Sequence, residues 1–243
     1  MLSVTAVRYD ETFTTFRKES IMFDFDINYP SPNYKAYIEC IYEFCKDNGF
    51  SMILKGSLAK GTATRFSDID LIILGDLDCT KVDEIIALYG TPVMTNFTEN
   101  PKGIIILVYQ DTTAVDLDIR ETISQEDLIN STVLLKYDAN FIIDNKEIIR
   151  NQVESNYIPN RPEWYKVLRL LHRGTIKYLS NKTDSAYDLL EEIKENLISL
   201  NITDLSFNNN FEDDIKSIFN KFCKEFKVDS QIEVLFNNLF KEF

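Results

Sequence analysis

Apolar positions along the first two thirds of the chain alternate between helical and strand rhythms. In residues 33–48, Tyr37, Ile38, Ile41, Tyr42, Phe44 and Cys45 recur every three to four positions, which predicts a helix with Gly49 as its terminator. Residues 52–54 read as a short strand, and residues 71–74 as the rest of another. Residues 78–90 predict a helix capped by Asp78 or Thr80, with Val82, Ile85, Ile86 and Leu88 on its apolar side and Gly90 at its end. An edge strand is expected over 92–97. The run GIIILVY at 103–109 predicts a strand buried on both faces. In TAVDLDIR, residues 113–120, Val115, Leu117 and Ile119 alternate with Asp116, Asp118 and Arg120, so one face is core and the other bears two carboxylates. Residues 124–133 predict a short helix with Ser124 as cap and Asp127 in a box-like arrangement, and 141–143 a last strand. Residues 1–28 read as one or two strands on the sheet edge.

After Pro159 and Pro162 the rhythm is helical throughout. Pro162 suits the first position of a helix over 163–179, with Val167, Leu168, Leu170, Leu171 and Ile176 inward. Asp184 or Ser185 is expected to cap the next helix, with Leu189, Leu190, Ile193, Leu197 and Ile198 inward. Residues 211–226 and 230–243 predict two final helices dense in Phe, Ile and Leu, whose aromatics suit a core or a homodimer face alike. The class is therefore α+β: a mixed-sheet domain over 1–156, then an α-helical bundle domain over 157–243, with the boundary near 156–162.

Charge narrows the partners. A net charge of −13 argues against a nucleic-acid substrate, whose phosphates demand a basic surface. It suits a small acceptor, a cationic one included. No apolar run approaches a membrane span, and the N-terminus lacks the basic-then-apolar pattern of a secretory signal. Cys40, Cys45, Cys79 and Cys223 form no metal-type cluster, so reduced, mostly buried thiols in a cytoplasmic protein are expected.

The chemistry concentrates in KGSLAKGTATRFSDIDLIIL, residues 55–74. Asp68 and Asp70 are two apart, so an extended strand points both the same way, with Ile69 and Leu71 turned to the core. Paired carboxylates repel unless a cation sits between them, and Mg²⁺ takes one or two carboxylates together with substrate phosphates. Upstream, Gly56 and Ser57 offer close backbone approach, N–H groups and a hydroxyl to phosphate. A phosphate cradle leading into a metal-binding pair implies a nucleoside triphosphate.

This stretch resembles the Gly-Ser and Asp-x-Asp signature of the DNA polymerase β-like nucleotidyltransferase superfamily. It is most similar to small bacterial members of the aminoglycoside- and lincosamide-nucleotidyltransferase type. Ala59, Lys60, Gly61, Ala63 and Ser67 extend the match, with Lys60 standing where an Arg is usual. The resemblance implies Mg²⁺-dependent transfer of a nucleoside monophosphate, AMP from ATP, to a hydroxyl of a small molecule. Asp68 and Asp70 would hold two Mg²⁺ ions, while Gly56, Ser57, Lys60 and Ser67 would contact the nucleotide. The superfamily places a third carboxylate on a neighbouring strand. Asp118 takes that role because Asp-Ile-Arg matches the polymerase version of the motif, with Asp116 on the same face as its rival. A nucleotide-binding regulator without turnover, or an enzyme that adenylylates a protein, would carry the same signature.

In the helical half, Arg169, Arg173 and Lys177 stand four apart and form one basic stripe. A stripe of this kind in an acidic chain is expected to face the triphosphate across a cleft, the alternative being a solvated face. His172, the sole histidine, is not assigned as a base.

Overall fold

The computed structural model describes residues 25–99, 102–144 and 161–243. The strands expected within 1–28 and the boundary at 156–162 lie almost wholly outside the described residues. The strands are β1 Ser51–Leu54, β2 Ile69–Leu74, β3 Met94–Glu99, β4 Lys102–Val108, β5 Ala114–Arg120, β6 Thr122–Ile123, β7 Thr132–Leu135 and β8 Ile142–Ile143. The helices are α1 Pro32–Asn48, α2 Gly56–Ala59, α3 Cys79–Leu88, α4 Gln125–Ile129, α5 Tyr165–Leu179, α6 Thr183–Ser199, α7 Phe211–Glu225 and α8 Ser230–Phe240.

Six strands form one mixed sheet in the order β3-β4-β5-β2-β1-β7, while β6 and β8 pair by themselves. Within the large sheet β2 and β5 run parallel and the other neighbours antiparallel. Alternation along each strand decides the two faces. On the first, Leu54, Ile69, Leu71, Ile73, Leu107, Val115 and Leu117 pack under α1 and α3. Ser31 caps α1 ahead of Pro32, and Gly49 closes it in the left-handed conformation at φ 71°.

The second face has two separate covers. Ile53, Ile72 and Leu74 pack with Ile123, Leu128 and Phe141 near α4 and the small β6–β8 pair. At the other end, Met94 and Val108 join the core of the helical bundle. Between the covers lies the stretch of sheet that bears Asp70 and Asp116. No helix among the described residues is long and apolar enough to cross a membrane.

Several local expectations change; Leu88, expected on the apolar side of α3, is 40% exposed. The helix over 124–133 stops at Ile129, because Thr132 and Val133 are β-branched and pair with β1 as edge strand β7. The bundle's first helix starts at Tyr165, with Trp164 in the cap position, and the second starts at Thr183 after Lys182. Ile198 is 66% exposed rather than inward. Ile104 and Ile106 of the GIIILVY strand are only half-buried, since their face looks into the gap between the two covers.

Candidate active site

The gap is built from one row of residues running across the sheet. The register sets Asn96 of β3 against Ile106 of β4, Ile106 against Asp116 of β5, and Asp116 against Asp70 of β2. All four lie on the second face. The row is continued past Asp70 by the turn after β1, where the Lys55 N–H donates to the Asp70 carbonyl at 2.8 Å. Gly56 follows at φ 66°, and a Cβ there would stand 1.8 Å from Asp70 Oδ2. Glycine is thus required twice, for the backbone angle and for the carboxylate pressed against it.

Asp68 precedes β2 on a loop that is held from behind. The Tyr34 hydroxyl donates to the Ser67 carbonyl at 2.5 Å, and Ser67 Oγ accepts from the Thr64 N–H at 2.9 Å. One carboxylate oxygen from each of Asp68, Asp70 and Asp116 lies within 4.8 Å of the others, a donor set able to hold a divalent cation. Burial, then the charge of Asp68, pushes the Asp70 carboxyl up to about 6, against the opposing charges of Lys55, Lys177 and Lys60. Burial and the charges of Asp68 and Asp70 push Asp116 up to about 7, opposed by Arg173 and Lys177. Crowded carboxylates with raised pKa values and no cation in contact among the described residues are the hard-oxygen site that Mg²⁺ fits.

The expectation that Asp118 is the third carboxylate of this group is corrected. Asp118 does share the face of Asp116, but it sits one row further along, opposite Ile72 and beneath α4. It is 4% exposed and bound by the Arg120 guanidinium, with Nε at 2.8 Å and a second nitrogen at 2.6 Å. Arg120 also reaches Asp127 Oδ2 at 2.6 Å, and Asp127 is in turn paired with the Lys55 ammonium. Ser124 closes the box on Asp127 in both directions, at 2.9 and 3.1 Å. Burial alone would raise Asp127, yet the bonds from Lys55 and Arg120 hold it at about 2. This ion-pair chain, absent from the sequence reading, fastens the start of the Gly-Ser turn to the end of β5. Its advance signs were the Ser124–Asp127 box and Arg120 beside Asp118 on the strand; the link to Lys55 had none.

The remaining expected residues divide. Ser57 lies half-buried on α2, its hydroxyl without a hydrogen bond among the described residues. Lys60 is exposed and contributes its charge to Asp70. The Ser67 hydroxyl is used inside its own loop. Arg169, Arg173 and Lys177 line a cavity of about 370 Å³ together with Asp68 and Asp116, so the stripe faces the gap rather than solvent alone. Met94, Asn96, Ile106, Val108, Ala114 and His172 line it as well. His172 is buried among apolar neighbours, which pushes it down to about 4 and keeps it neutral at neutral pH.

Residues 38–156 match the family model described as the nucleotidyltransferase domain. No curated protein matches the chain. Among solved structures, a CCA-adding enzyme in complex with CTP is similar at 12% identity and a TM-score of 0.31, over 78% of this chain and 50% of that one. The chain thus spans half the length of that enzyme. A STING-associated CdnE c-di-GMP synthase from Capnocytophaga granulosa is similar at 15% identity and a TM-score of 0.27, over 87% of this chain and 81% of the other. Likenesses this loose carry no further argument.

Proposed function

We propose, from the match of residues 38–156 to the nucleotidyltransferase domain model, that the protein moves a nucleoside monophosphate from a nucleoside triphosphate, ATP in the first instance, to a hydroxyl of a small acceptor, releasing pyrophosphate. One observation carries the reading: the line Gly56, Asp70, Asp116, in which a glycine turn abuts a carboxylate pair. Asp68, Asp70 and Asp116 would hold Mg²⁺, with Asp116 in the place first given to Asp118. Mg²⁺ bound there would offset the charge that builds on the transferred phosphoryl group.

The chain's own residues divide the remaining work by position. Ser57 and the backbone N–H groups at the start of α2 receive the β- and γ-phosphates, because the first N–H groups of a helix lack intrahelical partners. Lys60 adds positive charge on that side. Lys177 and Arg173, whose charges act on Asp116, lie over the reaction centre. In-line displacement puts the attacking oxygen opposite the leaving oxygen. With pyrophosphate at the Gly56 end of the row, the acceptor hydroxyl enters from the Ile106 end. Asp116 is the carboxylate on that side and takes the hydroxyl's proton.

Pyrophosphate release from each triphosphate with Mg²⁺, across aminoglycosides, lincosamides and nucleotides as acceptors, tests the proposal. Release that depends on Mg²⁺ and on an acceptor supports it. Tight triphosphate binding with no release under any pairing would replace the enzyme by a nucleotide-binding regulator.

A further inference from the structure

The cavity runs from Asp68 and Asp116 over Ile106, Val108 and Ala114 to β3, and neither Gly56, Ser57 nor Asp70 lines it. It therefore lies on the acceptor side of the row. Helix α5 spans it in a known direction. The Tyr165 hydroxyl contacts the backbone of Thr95 on β3, donating to its carbonyl at 3.4 Å and standing 3.3 Å from its N–H. Twelve residues on, the Lys177 charge acts on Asp70 and Asp116. At a rise of 1.5 Å per residue, Arg169 stands roughly 12 Å from Lys177, over the far part of the cavity.

The charges on this roof are not tied up in ion pairs among the described residues. Lys166, on another side of the same helix, pairs with Glu192 at 3.7 Å. Arg169, Arg173 and Lys177 make no ion pair among the described residues, in a chain with 39 acidic residues. Beside them, His172 is 8% exposed, and its buried Nε2 has no hydrogen-bond partner among the described residues. The ring packs edge-on against Phe236 at 6.3 Å, so His172 gives the cavity a neutral ring wall. Opposite it the floor is apolar, and Asn96 stands two strands from Asp116, roughly 10 Å at ordinary strand spacing. An apolar floor with convergent polar groups at its rim suits a flat ring with hydrogen-bonding edges.

We infer that the acceptor is anionic, not cationic: a phosphorylated hydroxyl compound with a planar ring, the chemistry of a nucleotide, its phosphate at Arg169 and its ring edge at Asn96. This rests on the reading that the Gly-Ser turn holds the leaving pyrophosphate. Once a cation neutralises the carboxylates, the arginine roof sets the sign of the cavity and opposes a cationic acceptor. In the transfer, the acceptor oxygen bonds to the α-phosphorus and the bond from that phosphorus to the bridging oxygen breaks. Pyrophosphate leaves with the electron pair, and the hydroxyl proton passes to Asp116.

Calorimetry on the full chain with Mg²⁺ tests it, using a non-hydrolysable ATP analogue first and then, at saturating analogue, each of the four common nucleoside 5′-monophosphates or an aminoglycoside. Pyrophosphate release from ATP is read with the same acceptors. A monophosphate should bind and stimulate release. Arg169→Glu should weaken its binding at least tenfold while the analogue stays within about twofold, and Arg169→Lys should recover most of the loss. Binding by the aminoglycoside and by no monophosphate overturns the inference, as does Arg169→Glu weakening the analogue alone. Ser57→Ala reports on the premise separately: if the analogue binds that variant as it binds the parent, the assignment of the Gly-Ser turn to pyrophosphate fails.

Discussion

Asp116 and Asp118 are two residues apart on one strand and on one face, yet they live in opposite surroundings. Asp118 is closed off under α4 with a guanidinium folded onto it, and the charges continue in alternating sign through Arg120, Asp127 and Lys55. Asp116 stands among Asp68 and Asp70, with cations near but, among the described residues, none in contact. Both groups are substantially buried. What separates them is the sign of the nearest neighbour, and that decides whether burial yields a brace or a binding site. The compensated cluster is complete in itself. The uncompensated one is held in place by the fold at a cost, and a ligand of opposite charge relieves it.

The largest expected effect is on turnover. Asp70→Asn, which keeps the shape pressed against Gly56, should lower Mg²⁺-dependent pyrophosphate release by roughly 10³-fold, about 4 kcal/mol of barrier. Its thermal midpoint without metal should be no lower than the parent's. A variant that keeps parental turnover would show that the crowded carboxylates are not the reaction centre.

The same test turned on the other cluster should hit stability instead. Arg120→Met leaves Asp118 and Asp127 buried without their shared cation, and breaking a buried pair in this way costs roughly 3–5 kcal/mol. A urea midpoint measures it. Turnover per folded molecule should fall far less than in Asp70→Asn. Equal losses of turnover in the two variants would erase the distinction between brace and site.

Part of this contrast was open to sequence reading and part was not. Alternation in TAVDLDIR put Asp116 and Asp118 on one face, and the Gly-Ser turn and Asp68-x-Asp70 marked the chemistry. Choosing between Asp116 and Asp118 needed the register of β5 on β2, Asp70 against Asp116, and pairing between strands some 45 residues apart leaves no trace in local pattern. Arg120 looked like a motif residue and is a counter-ion. The basic stripe was legible because Arg169, Arg173 and Lys177 follow the helical period. Asn96 was not, since an edge-strand amide carries no periodic signal. Thr132 and Val133 were assigned to a helix because the strand they form exists only through pairing with β1.

Acidity should separate the clusters in opposite directions. Asp70 and Asp116 have pKa values raised from about 3.8 to about 6 and about 7, so the folded protein binds protons more tightly than the unfolded chain. Their contribution to stability is full below pH 4 and is lost as pH rises through 6 and 7, a change on the order of 3 kcal/mol for the coupled pair. Asp127, held at about 2, contributes above pH 4 and loses that contribution as pH falls toward 2. Mg²⁺ at a hundred times its dissociation constant should add about 2.7 kcal/mol at pH 8 and much less at pH 5, where protons compete for the same oxygens. Thermal melts with and without Mg²⁺ at both pH values check this. An Mg²⁺ increment independent of pH would place the ion elsewhere.

The smallest effect probes the one residue that belongs to both clusters. Lys55 gives its ammonium to Asp127, its N–H to the Asp70 carbonyl, and its charge to the Asp70 carboxyl. Its side chain is 29% exposed, so solvent screens part of that field. Lys55→Met should therefore raise the Asp70 pKa by only about half a unit to one unit. The same charge repels Mg²⁺, and a doubly charged ion more than a proton, so Mg²⁺ should bind the variant a few-fold more tightly near pH 8.5, where Asp70 is ionised in both proteins. Near pH 6.5 the extra protonation of Asp70 in the variant should offset part of that gain. A Mg²⁺ titration at the two pH values reads the difference. Equal affinities at pH 8.5 would mean that the brace acts on the site through backbone geometry alone, and that the two carboxylate clusters, though joined by one lysine, are electrostatically separate.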